Sequence, residues 1–318
     1  MSGCSGSAGR ELTHALDTSA TYASLATVGL VCLCKSHGGE EVAGPSIHVV
    51  TVAFNPGEEL ERMLASLRDA APGAALTVDI VDNGTETEVV DRAARNGGAR
   101  IIRPGKNLGY GAAADRALRE SQADWFMVVN PDTVFTPDSM SELVAASERW
   151  PAGGVFGPRL ANVDGTIYPS ARELPSLSIG IGHALLVSVW PGNPWTARYH
   201  GITDREHVCG WLSGACLLLR PEAYRQIGGF DPNYFMFFED VDLGLRMREA
   251  EWESVYVPSA TVIHDQGTSW RDRPAPMIRA HHESAMRYIS RAYPGKRNAP
   301  LRGAILAGLK LRSRWMTR

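Results

Sequence analysis

Cysteine is scarce in this 318-residue chain, and what there is does not suit a metal: Cys4, Cys32, Cys34, Cys209 and Cys216. Cys32 and Cys34 are too close for a zinc knuckle and face no second pair, which excludes a zinc finger or ribbon. They read as reduced, structural thiols of a cytosolic chain. Long apolar runs are also missing, since none reaches the roughly 18 residues of a membrane span. The best candidate, Tyr22 to Cys34, is broken by Ser24 and Thr27 and has only Arg10 ahead of it, with Glu11 and Asp17 between. That is not the layout of a secretory signal. Net charge is small too, at −3, but the sum hides an asymmetry. Residues 266–318 hold twelve Lys/Arg against two Asp/Glu, a balance of +10, which leaves −13 for residues 1–265. A basic end on an acidic body points to an anionic partner, a membrane surface or a lipid diphosphate, in preference to nucleic acid.

With 44% hydrophobic residues the chain can bury one large α/β core. Residues 1–44, rich in Gly, Ser and Ala, read as a disordered extension or one added by a start site placed too far upstream, with Val42 or Val49 as alternatives. From Ile47 strands and helices alternate. A β-rich run to Phe54 ends in Asn55-Pro56-Gly57 turn chemistry, followed by the helical spacing of Leu60, Met63, Leu64 and Leu67. Strands are expected again at 76–81, 101–102 and 125–129, with helices near 87–96 and 111–121. Such alternation argues for a parallel sheet whose ligands sit at the carboxyl ends of its strands, which puts Phe54, Asp82 and Asp132 at one edge. After Trp150 the alternation fades to about residue 210, in long loops that either line an acceptor cleft or serve structure alone. One buried strand is expected over 210–220, a helix over 239–250 and a strand over 254–257.

The most informative segment is Gly-Gly-Phe-Asp-Pro-Asn-Tyr-Phe-Met-Phe-Phe-Glu-Asp-Val-Asp-Leu-Gly-Leu-Arg (228–246). Acids this close repel one another unless a cation, a substrate or a proton is expected there. Alternatively, Asp240 and Asp242 complement the positive end of the helix dipole. Matching acids follow strand patterns at Val-Asp-Asn-Gly (81–84) and Val-Val-Asn-Pro-Asp-Thr (128–133). Further segments fall between and after them in order: Val-Thr-Val-Ala-Phe-Asn (50–55), Asn-Leu-Gly-Tyr-Gly (107–111), Trp-Leu-Ser-Gly-Ala (211–215) and Val-Ile-His (262–264).

Over roughly residues 47 to 290 this series resembles the family 2 glycosyltransferases of the GT-A fold, and among them those that add L-rhamnose to N-acetylglucosaminyl-diphospho-polyprenol. The resemblance implies an α/β GT-A fold with a mainly parallel central sheet flanked by helices. The catalytic domain would span 45–290 and a basic amphipathic tail 291–318. The implied donor is dTDP-β-L-rhamnose and the implied product an α-1,3-linked rhamnose of the linker joining peptidoglycan to arabinogalactan. The enzyme would be peripheral at the cytoplasmic face of the membrane.

The resemblance also implies roles for residues. Phe54, Asp82, Gly109, Tyr110, Gly111 and Asp132 would contact the nucleotide sugar. Asp82 would accept from the imide N–H of a pyrimidine base; the alternative reading is an Asx-turn acid capping the next helix. Asn130-Pro-Asp132 stands where the family has Asp-x-Asp, so one charge is missing. Asp132, with His264 and Asn130, would then hold Mg²⁺ or Mn²⁺ against the donor diphosphate. Asp240 is the candidate general base and Glu239 the candidate for orienting the acceptor, while Arg246 suits an ion pair with an acid of this cluster. Arg172 and Trp211 admit two readings each: diphosphate contact or surface ion pair, sugar stacking or core packing. Apolar Ile305, Leu306, Leu309 and Leu311 beside Lys310, Arg312 and Arg314 make either a surface-lying amphipathic segment or an ordinary solvated helix. Two other functions share part of this pattern: a family 2 enzyme with a different nucleotide sugar, and a non-catalytic glycan or lipid-diphosphate binder. The binder has no need of a base and a metal together.

Overall fold

In the computed structural model, residues 44–175, 203–265 and 274–317 are described. They belong to one compact unit, Ala43–Arg318. All but Gly44 of the expected extension at 1–44, and the Trp190–Trp195 stretch of the expected cleft loops, lie outside the described residues.

Strand β1 (Ser46–Ala53) is buried on both faces from Ile47 onward. That is why it reads as continuous hydrophobic sequence and why it needs helices on both sides. It pairs in parallel with β2 (Ala75–Asp82) and β4 (Trp125–Val129), and β2 pairs in parallel with β3 (Arg100–Ile102). The connecting helices are α1 (Glu59–Ala70), α2 (Glu88–Gly97) and α3 (Tyr110–Leu118). Leu60, Met63, Leu64 and Leu67 form the buried stripe of α1, as their spacing requires.

Next come β5 (Thr133–Phe135), α4 (Ser139–Arg149), β6 (Gly153–Ala161) and the short strands β7 (Ile167–Tyr168), β8 (Ala171–Arg172), β9 (His207–Cys209) and β10 (Trp211–Leu212). They are followed by β11 (Cys216–Leu219), α5 (Pro221–Gln226), α6 (Glu239–Glu249) and β12 (Glu253–His264). The main sheet runs β3-β2-β1-β4-β11-β6-β12-β5, and all of these strands except β11 and β5 point the same way. This is the mainly parallel α/β sheet expected. Alternate residues feed two cores, one on each face: Val49, Met63, Leu143 and Phe156 on one, Val50, Phe126, Tyr224 and Leu243 on the other.

The structure differs from the sequence reading in three places. Strand β6 lies in the stretch read as loops. Its glycines serve close packing, not turns: a Cβ on Gly154 would stand 2.8 Å from Trp252 Cβ, and one on Gly157 would stand 2.9 Å from Leu212. The single strand expected over 210–220 is two, with β10 paired to β8 in a separate ribbon and β11 in the main sheet. Ser213-Gly214-Ala215 leaves the ladder between them because its backbone is engaged elsewhere, as described below. The strand expected over 254–257 and the strand-like Ala260–His264 run are one strand, β12, continuous through a register shift at Val257/Thr261 that absorbs Pro258.

Helices α7 (Pro274–Ala292) and α8 (Ala299–Met316) close the chain, joined through a 3₁₀ turn at Lys296–Asn298. Helix α8 packs along α7 and buries none of its residues; Leu311 and Trp315 are 66% and 77% exposed. Among the described residues no helix is long and apolar enough to cross a membrane.

Candidate active site

Strands β1 and β2 end in register, Ala53 beside Asp82. Half-buried Phe54 continues from the first and buried Asn83 from the second. Buried Asp82 accepts the Gly84 N–H at 3.1 Å through one oxygen and the Arg103 Nε–H at 3.1 Å through the other. The Gly84 contact is the turn-acid reading of Asp82, and Arg103 is a partner the sequence did not suggest. Asn83 fastens the next loop: its side-chain amide donates to the Gly109 carbonyl at 2.9 Å, and its amide oxygen accepts from the Leu108 N–H at 3.3 Å.

Gly109 has φ +82°, and a Cβ there would overlap the Phe235 carbonyl, which accepts the Tyr110 N–H at 3.0 Å. A Cβ on Gly111 would lie 2.7 Å from Phe230. Both glycines thus let the start of α3 press against the 230–235 segment. Gly109→Ala is expected to cost about 1–3 kcal/mol and lower the thermal midpoint by several degrees. Gly98→Ala, at φ +68° in open space, should cost less. A Gly109→Ala midpoint equal to that of the wild type would show that the turn relaxes freely.

Pairing of β5 with β12 sets His264 opposite Thr133, and the Asp265 N–H donates to the Asp132 carbonyl at 2.9 Å. In consequence Asp132 Oδ1 lies 3.2 Å from His264 Nε2, and the Asn130 side-chain amide 3.3 Å from the same nitrogen. His264 Nδ1 is buried without a hydrogen-bond partner among the described residues. One carboxylate, one imidazole and one amide that offers its oxygen when turned over suit a hard divalent cation, with its remaining positions left to a diphosphate and water. Among the described residues no three His, Cys, Asp or Glu side chains converge, so this protein-side set is a sparse one.

The catalytic-base candidate enters from α6. Phe237 and Phe238, both at φ +65°, form the left-handed corner that delivers Glu239 and Asp240 at the start of the helix. Gly214 links the corner to the glycine turn: the Tyr110 hydroxyl donates to its carbonyl at 2.6 Å, and its N–H donates to Asp240 Oδ2 at 3.0 Å. The Val241 N–H donates to the other Asp240 oxygen at 2.8 Å. Burial raises the Asp240 carboxyl above the ordinary aspartate range, against the pull of these two N–H groups and of the Arg172 charge. Burial, and then the Asp240 charge, raises Glu239, whose Oε2 is buried with no hydrogen-bond partner among the described residues. Hydrogen bonds to the ionised form are made at Asp240 and not at that oxygen, so of the two carboxyls the surroundings of Glu239 favour the proton more. Burial first, then the charges of Glu239, Cys216, Asp240 and Asp132, hold the Tyr110 phenol well above its ordinary value. Through Gly214, Tyr110 joins the glycine turn to the Asp240 corner of α6.

Asp242 faces away from this point and is fully buried against Arg246 Nε at 2.6 Å, the i,i+4 pair expected for that arginine. The Arg172 guanidinium lies over the Tyr168 and Trp211 rings at 5.2 and 5.1 Å and donates to the Pro169 carbonyl at 2.8 Å. Trp211 is buried beneath it, with its indole N–H on the Glu173 carbonyl at 3.1 Å. Its position is that of a support for Arg172. Three participants escaped sequence reasoning. Arg103 and Asn83 carry no spacing signal, and Gly214 acts through its backbone, which the Trp-Leu-Ser-Gly-Ala segment marks only by position.

The profile of Glycosyl transferase family 2 matches residues 48–228. The chain belongs to this family. It is 43% identical over 285 residues to the N-acetylglucosaminyl-diphospho-decaprenol L-rhamnosyltransferase of Mycobacterium tuberculosis, a match covering 85% of this chain and 92% of the relative. It is 36% identical over 175 residues to Rhamnosyltransferase WbbL of Escherichia coli K12, covering 54% of this chain and 64% of that one. Among solved structures it is similar to GalNAc-T7 with UDP, GalNAc and Mn²⁺, at TM-score 0.56 and 16% identity over 83% of this chain and 54% of the other. The mannosyltransferase PcManGT of Pyrobaculum calidifontis with GDP-Man and Mn²⁺ gives TM-score 0.54 and 14% identity over 87% of this chain and 73% of the other. Those two likenesses establish the fold, a GT-A fold. This family 2 chain is a glycosyltransferase, and Asp82 and Asp132 stand at the carboxyl ends of parallel strands, where an open α/β sheet binds its ligands.

Proposed function

We propose that the protein is an inverting rhamnosyltransferase, which moves L-rhamnose from dTDP-β-L-rhamnose to the 3-hydroxyl of N-acetylglucosaminyl-diphospho-polyprenol. The observation that carries the chemistry is the Asp240–Gly214–Tyr110 chain. It holds the Asp240 carboxylate on the N–H groups of Gly214 and Val241, beside Glu239, whose carboxyl burial raises, and joins it to the glycine turn. The sugar and the acceptor are supported by the 43% identity to the mycobacterial rhamnosyltransferase over most of both chains.

In this reading Asp82 accepts from the base, and Phe54 and the Gly109–Gly111 turn bear on the nucleoside and sugar. Asp240 removes the acceptor hydroxyl proton as that oxygen attacks the anomeric carbon from the face opposite the leaving diphosphate, which inverts the configuration. Neutral Glu239 donates a hydrogen bond to the acceptor, and Arg172 steadies the ionised Asp240. Asp132, His264 and Asn130 would hold a divalent cation, Mg²⁺ or Mn²⁺, and its charge would offset that of the leaving diphosphate. The reading is tested by offering purified protein a panel of nucleotide sugars with a short-chain lipid-linked N-acetylglucosamine acceptor and weighing the products. A mass gain of one deoxyhexose, only from the rhamnose donor, supports it. Transfer of another sugar would overturn the donor assignment.

The polyprenyl acceptor implies work at a membrane surface, and α8 suits it: Leu311 and Trp315 are exposed beside Lys310, Arg312 and Arg314. Each basic residue near an anionic leaflet contributes on the order of 1 kcal/mol, screened beyond about 8 Å at physiological salt. A Leu311→Glu, Trp315→Glu double variant is expected to lose sedimentation with anionic vesicles while keeping transfer to a soluble acceptor. Equal vesicle binding by variant and wild type would make α8 an ordinary solvated helix.

A further inference from the structure

Two open grooves, of about 810 and 530 Å³, run along α7 and meet at Arg287. The smaller begins at Phe235, the residue whose carbonyl fastens Tyr110 and whose side chain is 44% exposed, and continues over Met277 and Arg279. The larger runs from Asp231 and Arg287 to Leu306 and Lys310 of α8. One wall of the path is therefore shared with the active site, and its far end lies on the helix that carries the exposed apolar residues.

The cations of this path are not all neutralised. Arg287 pairs with Asp231 at 3.1 Å, and Arg291 with Glu249 at 2.9 Å and with buried Asp242 at 3.4 Å. Arg279 and Lys310 make no ion pair or hydrogen bond among the described residues, and neither does Glu283, the other acid of the lining. With Arg287 and Arg291 matched, Arg279 and Lys310 stand against Glu283 alone, so the lining keeps a surplus of one positive charge over an apolar floor. A wholly polar anion leaves that floor wetted, and a neutral lipid leaves that surplus unmatched. A chain with an apolar tail and a multivalent anionic head satisfies both.

We propose that this path binds the isoprenoid diphosphate portion of the acceptor, with Arg279 as a diphosphate ligand at the mouth and Lys310 contributing toward α8. The proposal rests on the acceptor reading above and adds the residues that recognise the lipid diphosphate apart from its sugar. The test uses the full-length protein and two exposed-residue variants, Arg279→Gln and Lys310→Gln, whose thermal midpoints should match that of the wild type.

Calorimetry with farnesyl diphosphate, which carries no sugar, should show binding by the wild type and at least tenfold weaker binding by Arg279→Gln. Inorganic diphosphate alone should bind more weakly than farnesyl diphosphate, because it leaves the apolar floor empty. In turnover, Arg279→Gln should raise KM for a prenyl-diphosphate-linked N-acetylglucosamine by tenfold or more. Its KM for the nucleotide sugar, and its transfer to octyl N-acetylglucosaminide, should be unchanged. Equal binding of farnesyl diphosphate by wild type and variants, no binding by the wild type, or an equal loss with both acceptors would overturn the proposal. If the wild type glycosylates neither N-acetylglucosamine acceptor, the acceptor reading fails instead, and the calorimetry still decides whether the path holds an isoprenoid diphosphate.

Discussion

Replacing Asp240 with Asn is expected to lower turnover by about 10² to 10⁴-fold with little change in nucleotide-sugar affinity, since general-base contributions fall in that range. The amide keeps the shape of the side chain and can still accept the Gly214 N–H at its oxygen. The loss therefore reports on proton removal and not on a collapsed corner. Because burial raises the Asp240 carboxyl, the acid limb of kcat/KM should lie above the ordinary aspartate range, with activity falling as pH drops through it. The buried Glu239 carboxyl gives stability a pH dependence of its own. A carboxyl raised in the fold binds more protons folded than unfolded, so it lowers stability as pH rises from its unfolded value toward its folded one. Glu239→Gln should remove that dependence and be relatively more stable than the wild type at alkaline pH, while weakening acceptor use. More than half of wild-type turnover in Asp240→Asn would assign the base elsewhere.

Loss of the divalent cation is expected to be as severe. Neutralising a leaving diphosphate is worth several kcal/mol, and each 1.36 kcal/mol is a factor of ten in rate, so exhaustive chelation should abolish measurable transfer. Added Mg²⁺ or Mn²⁺ should restore it. With Asn130 in place of an acid, the protein supplies only one carboxylate beside His264. Asp132→Ala should then cost about 10²-fold or more, and His264→Ala should raise the cation concentration needed for half-maximal rate. Asn130→Asp restores a second carboxylate and is expected to lower that concentration. Full activity in chelated, metal-free enzyme would remove the cation from the mechanism.

The sequence by itself determined the alternation of strands and helices from Ile47 to Val129. Local hydrophobic period and turn residues fix those elements, and the carboxyl-end rule then puts Asp82 and Asp132 on one edge. It also determined the family, because ordered short motifs survive where overall similarity fades. The tertiary structure alone decided three other matters. Strand β6 is concealed by glycines that exist for Trp252 and Leu212 to pack against, a contact with no local signature. The break at Gly214 follows from hydrogen bonds to Tyr110 and Asp240, far away in sequence. The separate fates of Glu239, Asp240 and Asp242 could not be read from three acids in a row. Helical geometry turns Asp242 into the buried Arg246 pair, and the backbone N–H groups of Gly214 and Val241 select which of the remaining two keeps its charge.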